Sequence, residues 1–349
     1  MAKTIHNLPE TKGQFQTRGN VTGTKKDKFY VDKLTRTEKP FRSINFGIQF
    51  DKDATLYAGF NGMEQDLVYF SKSTKDEKTG KKSTETKKVA WKDRLTFSQD
   101  GFKLIGVNVG VKKTVDSTGK EINDKKSLTQ YDACKEIADN LTDEHSVFVK
   151  GNIQYSTYNK KHQTRFEPTQ ISLCKDVDFE AEGFTNMADF QQVIVFTGIA
   201  KDPNNAERFV VSAKIVTYKT IEDAEFFVTD AKLANMFRKN LKPYTGIKVW
   251  GKIGVSQQTE QVVDEDECWG EENEMTKINA PTLRELIITG ADPKSIEKEV
   301  YAQSKIEEAI ASINASKQAE NDFGSSGKDD GDWGSTNTSS DDDDSEEAW

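Results

Sequence analysis

The chain has 349 residues, 34 % of them hydrophobic and 31 % charged, which is enough for two ordinary domains and too polar for one large apolar core. A net charge of −9 would argue against a nucleic-acid ligand if it were evenly spread, but residues 1–175 hold 32 Lys and Arg against 22 Asp and Glu, a net +10, while residues 176–320 carry −10 and residues 321–349 carry −9. No apolar run approaches a membrane span, and the first twelve residues lack the apolar core of a signal peptide.

In chain order, Met1–Gly13 is polar and reads as loose, and Gln14–Val21 alternates as a first strand. A basic turn follows with Lys25, Lys26 and Lys28, running into Phe29 and Tyr30. Phe41–Phe50 alternates, with Phe46, Ile48 and Phe50 on one parity and Arg42 near its start. Leu56–Phe60 and Leu67–Phe70 read as short aromatic strands. Ser71–Lys88 contains seven lysines, Lys87 and Lys88 among them, and no apolar residue, so a flexible loop is expected. Val89–Phe97 carries Trp91, Lys92 and Arg94, Phe102–Val111 alternates, and Thr114–Ser127 reads as a polar loop.

A helix, a turn and a strand then appear, first over Tyr131–Tyr155 and again over Ala231–Val255. Cys134, Ile137 and Leu141 form one helical stripe, and Ala234, Phe237 and Leu241 repeat it 100 positions on. The strands read Val149-Lys150-Gly151-Asn152-Ile153 and Val249-Trp250-Gly251-Lys252-Ile253. Pro168-Thr169 and Pro281-Thr282 lead into apolar strands after each copy, as a second echo. The repetition in order predicts a duplicated fold.

Asp176–Gln192 is acidic and contains glycine, and reads as a linker. Beyond it, strands over Val193–Ile199, Phe209–Tyr218 and Glu225–Val228, the helix over 231–241, and strands over Gly246–Val255 and Leu283–Ile288 give the connectivity of the OB-fold, a small five-stranded barrel with its helix between strands three and four. The first module fits the same plan with about 79 extra residues before its helix, if Gly19 and Gly198 are equivalent. The fold expected is therefore all-β dominated: two OB-like barrels over 1–175 and 193–292 with a linker over 176–192, a helix over 293–320 opened by Pro293 with a stripe of Ile296, Val300, Ile306, Ile310 and Ile313, and a disordered acidic tail over 321–349.

Catalysis finds little support. The three His (His6, His145, His162) and three Cys (Cys134, Cys174, Cys268) stand in no metal-ligand spacing, and there is no Gly-rich phosphate loop or nucleophile elbow. No cofactor or metal is expected, and the cysteines read as reduced thiols of a cytosol-like compartment. Binding finds more. OB-folds take oligonucleotides on strands two and three and between the loops joining strands one–two and four–five. In the first module those loops carry Lys25, Lys26, Lys28, Phe29 and Tyr30, and then Tyr158, Lys160, Lys161, Arg165 and Phe166. Cations neutralise phosphates and flat rings stack on exposed bases. Arg42, Lys87, Lys88, Trp91, Lys92, Arg94 and Lys150 extend this candidate set. In the second module the strand four–five loop is acidic and would repel phosphates.

The chain ends in Asp341, Asp342, Asp343, Asp344, Ser345, Glu346, Glu347, Ala348 and Trp349. This ending resembles the C-terminal tip of single-stranded DNA-binding proteins of bacteria and their phages, whose acidic tails end in an aromatic residue. It lacks the Pro-Phe ending of the bacterial tip, and two barrels are read here where the bacterial type carries one. The resemblance implies a non-catalytic protein, phage-encoded and working in the cytoplasm of an infected host, that binds single-stranded DNA. It would recruit replication or recombination proteins through Asp341–Asp344, Glu346, Glu347 and Trp349, with self-association left open. The alternative from another class is a protein–protein adaptor that uses the barrels as scaffolds. A metal-dependent nuclease ranks third.

Overall fold

The computed structural model describes residues 6–75, 82–158, 161–257 and 282–324. In chain order the elements are β1 (Gly13–Thr22), β2 (Tyr30–Leu34), β3 (Pro40–Asp51), β4 (Ala54–Met63), β5 (Leu67–Lys75), β6 (Lys82–Ala90), β7 (Lys103–Leu104), β8 (Val107–Gly110), β9 (Lys113–Val115), β10 (Glu121–Asn123) and β11 (Lys126–Leu128). Then come α1 (Gln130–Asn140), β12 (Ser146–Tyr158), β13 (Lys161–Leu173), β14 (Met187–Lys201), β15 (Phe209–Val216), β16 (Ile221–Val228), α2 (Ala231–Asn240), β17 (Thr245–Gln257), β18 (Thr282–Glu297) and α3 (Gln303–Gly324).

Two closed barrels share one plan. In barrel one, β1 pairs with β3 and β12, β3 with β4, β12 with β13, and the parallel pair β4–β13, aligned at Ala58 and Phe166, closes the ring. In barrel two, β14, β15, β16, β18 and β17 repeat the ring, closed by the parallel pair Phe227–Ile287. This is the OB-fold strand order, with α1 and α2 in the expected place. The two first strands, β1 and β14, pair antiparallel from Gly13–Gln192 to Arg18–Met187, and one core of buried side chains runs through both barrels.

The repeat resides in the backbone as well as in the sequence. Each fourth strand has a register shift at its glycine, between Lys150 and Gly151 and between Trp250 and Gly251. A Cβ placed on Gly151 would stand 2.0 Å from the carbonyl oxygen of Glu167, and one on Gly251 would stand 1.9 Å from that of Ile287. Both positions therefore require glycine so that two chains can approach at the bulge. Thr17 pairs with Val149 and Gln192 with Val249, so the first strands are 175 positions apart and the equivalent of Gly19 is Ile194, not Gly198. The Pro-Thr echo is a coincidence of composition: Gly151 faces Pro168 while Gly251 faces Ile288, and so the equivalent of Pro168 is Ile288.

Several expectations are corrected. Of the lysine-rich stretch 71–88, residues 71–75 and 82–88 are strand rather than loop, and 76–81 lie outside the described residues: β5 and β6 pair from Leu67–Ala90 to Lys75–Lys82, and with β7 they make a separate three-stranded sheet over its own cluster of Val68, Phe70 and Trp91. Alternating Ser, Thr and Lys can hold a strand when one face is covered, and composition alone conceals this. The segment 102–111 splits into β7 and β8, and 114–127 holds β9, β10 and β11. Pro293 lies inside β18, and the helix starts ten residues later at Gln303. It packs Ile306, Ala309 and Ile313 inward, while Ile296 belongs to the strand. The N-terminal segment is strapped down: Leu8 is buried with Tyr301 and Ile306, and Thr11 exchanges hydrogen bonds with Val216. No helix among the described residues is long and apolar enough to cross a membrane. The tail 325–349 lies outside the described residues.

Candidate nucleic-acid interface

The outer face of strands two and three of barrel one forms the floor of a groove of about 950 Å³. Residues alternate along β4, so Leu56, Ala58 and Phe60 fill the barrel while Tyr57, Gly59 and Asn61 point outward. Ser43 and Asn45 of β3 continue the floor, Val31 and Lys33 of β2 bound one side, and Gln154, Ser156, Gln163, Thr164, Arg165 and Glu167 of the β12–β13 hairpin bound the other. Lys28 stands at the loop between strands one and two, and Arg284 reaches in from β18 of barrel two. The Tyr57 ring is 49 % exposed, with the Arg284 guanidinium 4.8 Å from its centroid. Lys33 lies over Phe41 at 5.7 Å. The one carboxylate of the lining, Glu167, accepts hydrogen bonds from Gln130 (2.6 Å) and Gln154 (3.3 Å). Among the described residues Lys28 and Arg165 have no carboxylate partner, so the groove presents unpaired cations beside an exposed ring. That combination suits a flexible polyanion with flat bases.

The structure redistributes the candidates. Lys28 and Arg165 line the groove, and Lys25 and Lys26 are exposed on the turn beside it. Phe29 and Phe166, expected as stacking surfaces, are core side chains: Phe166 is 1 % exposed and meets Phe15 edge-on at 5.1 Å. Tyr30 is half-buried and donates its hydroxyl hydrogen bond to Asp32, and burial with that carboxylate pushes its pKa up to about 12. Arg42 pairs with Asp32 at 2.9 Å and lies over Tyr131 at 4.0 Å, which holds the end of α1 to the barrel and removes it from the groove. Trp91 is buried beneath Arg94, and Lys87, hydrogen-bonded to Gln99, packs over Phe102. These residues, with exposed Lys88 and Lys92, belong to the three-stranded sheet and its cluster rather than to the groove. Lys150 lines a different recess, with Trp250, on the sheet that joins the barrels. The expected loop Ser156–Thr164 is mostly paired strand, from Ser156–Gln163 to Tyr158–Lys161. The side chains of Tyr158 and Lys161, all of Lys160, and the acidic tail from Asp341 to Trp349 lie outside the described residues.

Arg94 has a structural task. It donates to both oxygens of Asp132 at 2.7 and 2.8 Å, and Asp132 completes the N-terminal cap of α1 with Thr129. Burial alone would raise the Asp132 pKa, but the hydrogen bonds from Arg94 and Thr129 prevail and hold it below its ordinary value. Its stabilising contribution is thus present above the unfolded carboxyl pKa of about 3.9 and is lost as pH falls through the lower folded value. Asp132→Asn is expected to cost roughly 2–3 kcal/mol at pH 7 and to flatten the fall of stability below about pH 4, as read by urea unfolding across pH.

Three groove residues that the binding geometry depends on, Tyr57, Lys33 and Arg284, are absent from the sequence-based set. Tyr57 had a legible signal, being on the opposite parity to Leu56, Ala58 and Phe60. Lys33 sits three positions past the start of β2, a strand too short to stand out. Arg284 had none, because it belongs to the other barrel. Among the described residues no three His, Cys, Asp or Glu side chains gather to hold a metal. Cys134 is buried, which pushes its thiol up to about 12 and leaves it inert.

The model of the family described as YorF matches residues 72–326. No curated protein matches the chain. Among solved structures, the chain is similar to the wild-type single-stranded DNA binding protein from Thermus aquaticus at 11 % identity, covering 81 % of this chain and 93 % of that one, with a TM-score of 0.37. A deletion variant of the same Thermus aquaticus protein gives 12 % identity, 81 % and 94 % coverage, and a TM-score of 0.37.

Proposed function

This chain belongs to the YorF family, and we propose that it binds single-stranded DNA along the groove of barrel one, without strong sequence preference. The observation that carries the reading is the convergence of Lys28, Lys33, Arg165 and Arg284 around the exposed Tyr57 ring on the outer face of strands two and three. Phosphates would be neutralised by the cations and one or more bases would stack on the ring. The polar floor of Ser43, Asn45 and Asn61 gives no fixed pattern that reads one base over another. We further propose, from the ending Asp341–Trp349, that the tail recruits proteins of replication or recombination.

Anisotropy of labelled oligo-dT tests the first claim. Saturable binding is expected, weaker for duplex, with log K falling against log [NaCl] at a slope of about −2 to −3, since three to four phosphates each contribute about 0.7. Equal affinity for duplex, or binding indifferent to salt, contradicts it. The same titration on a chain lacking 321–349, with pull-down from a replicating host, tests the tail: unchanged capture of replication proteins removes that role.

A further inference from the structure

Arg284 is on strand five of barrel two, paired through its backbone with Val255, yet its side chain lines the groove of barrel one. Its Nε is fully buried and without a hydrogen-bond partner, and no described carboxylate pairs with it. Its neighbour in sequence, Glu285, is already taken by Arg208 at 2.7 Å. Among the described residues its one contact of electrostatic kind is with the Tyr57 ring at 4.8 Å. The corresponding position of barrel one, by the pairing of Thr164 with Tyr155 and of Arg284 with Val255, is an uncharged threonine. Burial pulls the Arg284 guanidinium below its ordinary pKa. A desolvated cation without a partner is costly to the free protein, and such a cost is retained where an anion arrives to offset it. An arginine suits the task, because its fork holds phosphate oxygens at fixed geometry.

We propose that Arg284 is a phosphate seat donated by barrel two to the groove of barrel one: a backbone phosphate of the bound strand docks on its guanidinium while the adjoining base lies on Tyr57. This rests on the reading of the groove as a single-strand site and adds to it that neither barrel alone holds a complete site. Barrel two, acidic as a whole, thereby takes part in binding through one residue. The seat also fixes where along the strand a phosphate and a stacked base must fall together.

The test uses the full chain with Arg284→Met and Arg284→Lys, oligo-dT as probe, and thermal unfolding of the free protein. R284M is expected to weaken oligo-dT binding about tenfold at 0.1 M NaCl and to lower the salt slope by about 0.7. R284K is expected to keep the slope but lose part of the affinity. Without ligand, R284M should unfold at the same temperature as the parent or higher, because a buried unpaired charge has gone. If the parent and Y57A behave as a single-strand groove demands while R284M matches the parent in affinity and slope, the seat is overturned and the groove stands. If R284M unfolds earlier or fails to fold, Arg284 is paired within its own chain and the seat is overturned again. If the parent chain does not bind oligo-dT, both readings fall.

Discussion

Tyr57→Ala is expected to weaken oligo-dT binding by roughly 10- to 100-fold while leaving the unfolding temperature of the free chain nearly unchanged. The ring is 49 % exposed and stands on the outer parity of β4, so its removal opens no cavity in the barrel. What is lost is a stacking surface, worth about 1–3 kcal/mol per base. Phe166→Ala should give the reverse pattern. That ring is 1 % exposed against Phe15, so truncation leaves a cavity and costs about 3–5 kcal/mol of stability. Any loss of DNA binding in F166A should therefore follow the fraction folded. Parallel anisotropy titrations and thermal melts separate the two. An unaffected affinity in Y57A would remove the stacking part of the account.

Gly151→Ala and Gly251→Ala are each expected to destabilise the chain by about 3 kcal/mol or more, which for a cooperative unit of this size is a fall of roughly 6–12 °C in unfolding temperature. The added methyl of G151A meets the Glu167 carbonyl oxygen at 2.0 Å and the Phe15 ring at 2.7 Å, and that of G251A meets the Ile287 carbonyl oxygen at 1.9 Å. Backbone cannot move aside without breaking the pairing of strands four and five. Gly198→Ala is the control, since a Cβ there meets nothing within 4 Å and should change little. Because one core runs through both barrels, either substitution should shift a single transition rather than split it. Two separated transitions would mean that the barrels unfold independently.

These glycines explain how much of the fold could be read in advance. Helix stripe, bulge glycine and alternating strand recur together because each is fixed by a local rule, the helical period, the close approach of two chains, or the two-residue alternation. The barrels, their strand order and both helices were legible for that reason. The three-stranded sheet of β5, β6 and β7 was not, because its strands bury little beyond Val68 and Phe70, and the same face carries Lys72 and Lys87, which lie over Phe102. Pro293 reads as a helix start in the sequence, although it lies inside β18 where the register with β17 shifts and a missing N–H is tolerated.

The site divided along the same line. Spacing can say that a cation or ring is near a strand end but not toward which face it turns, so it counts Phe29, Phe166 and Trp91 as contacts although they fill cores. It likewise counts Arg42 and Arg94 as DNA contacts although Asp32 and Asp132 hold them. The reverse case is Arg284, whose place depends on how the two barrels come together in space. Lys28 and Arg165, both in the sequence-based set, line the groove, Lys28 from the loop between strands one and two and Arg165 from β13 beyond the hairpin turn.

Ultraviolet cross-linking of the full chain to oligo-dT, with the adducts mapped by mass spectrometry, bears most directly on the groove of barrel one as the single-strand site. Adducts on Tyr57 and on peptides carrying Lys28, Arg165 or Arg284 are the predicted result. Adducts confined to Trp250 and the sheet joining the barrels, or to exposed Tyr218 of barrel two, would contradict it.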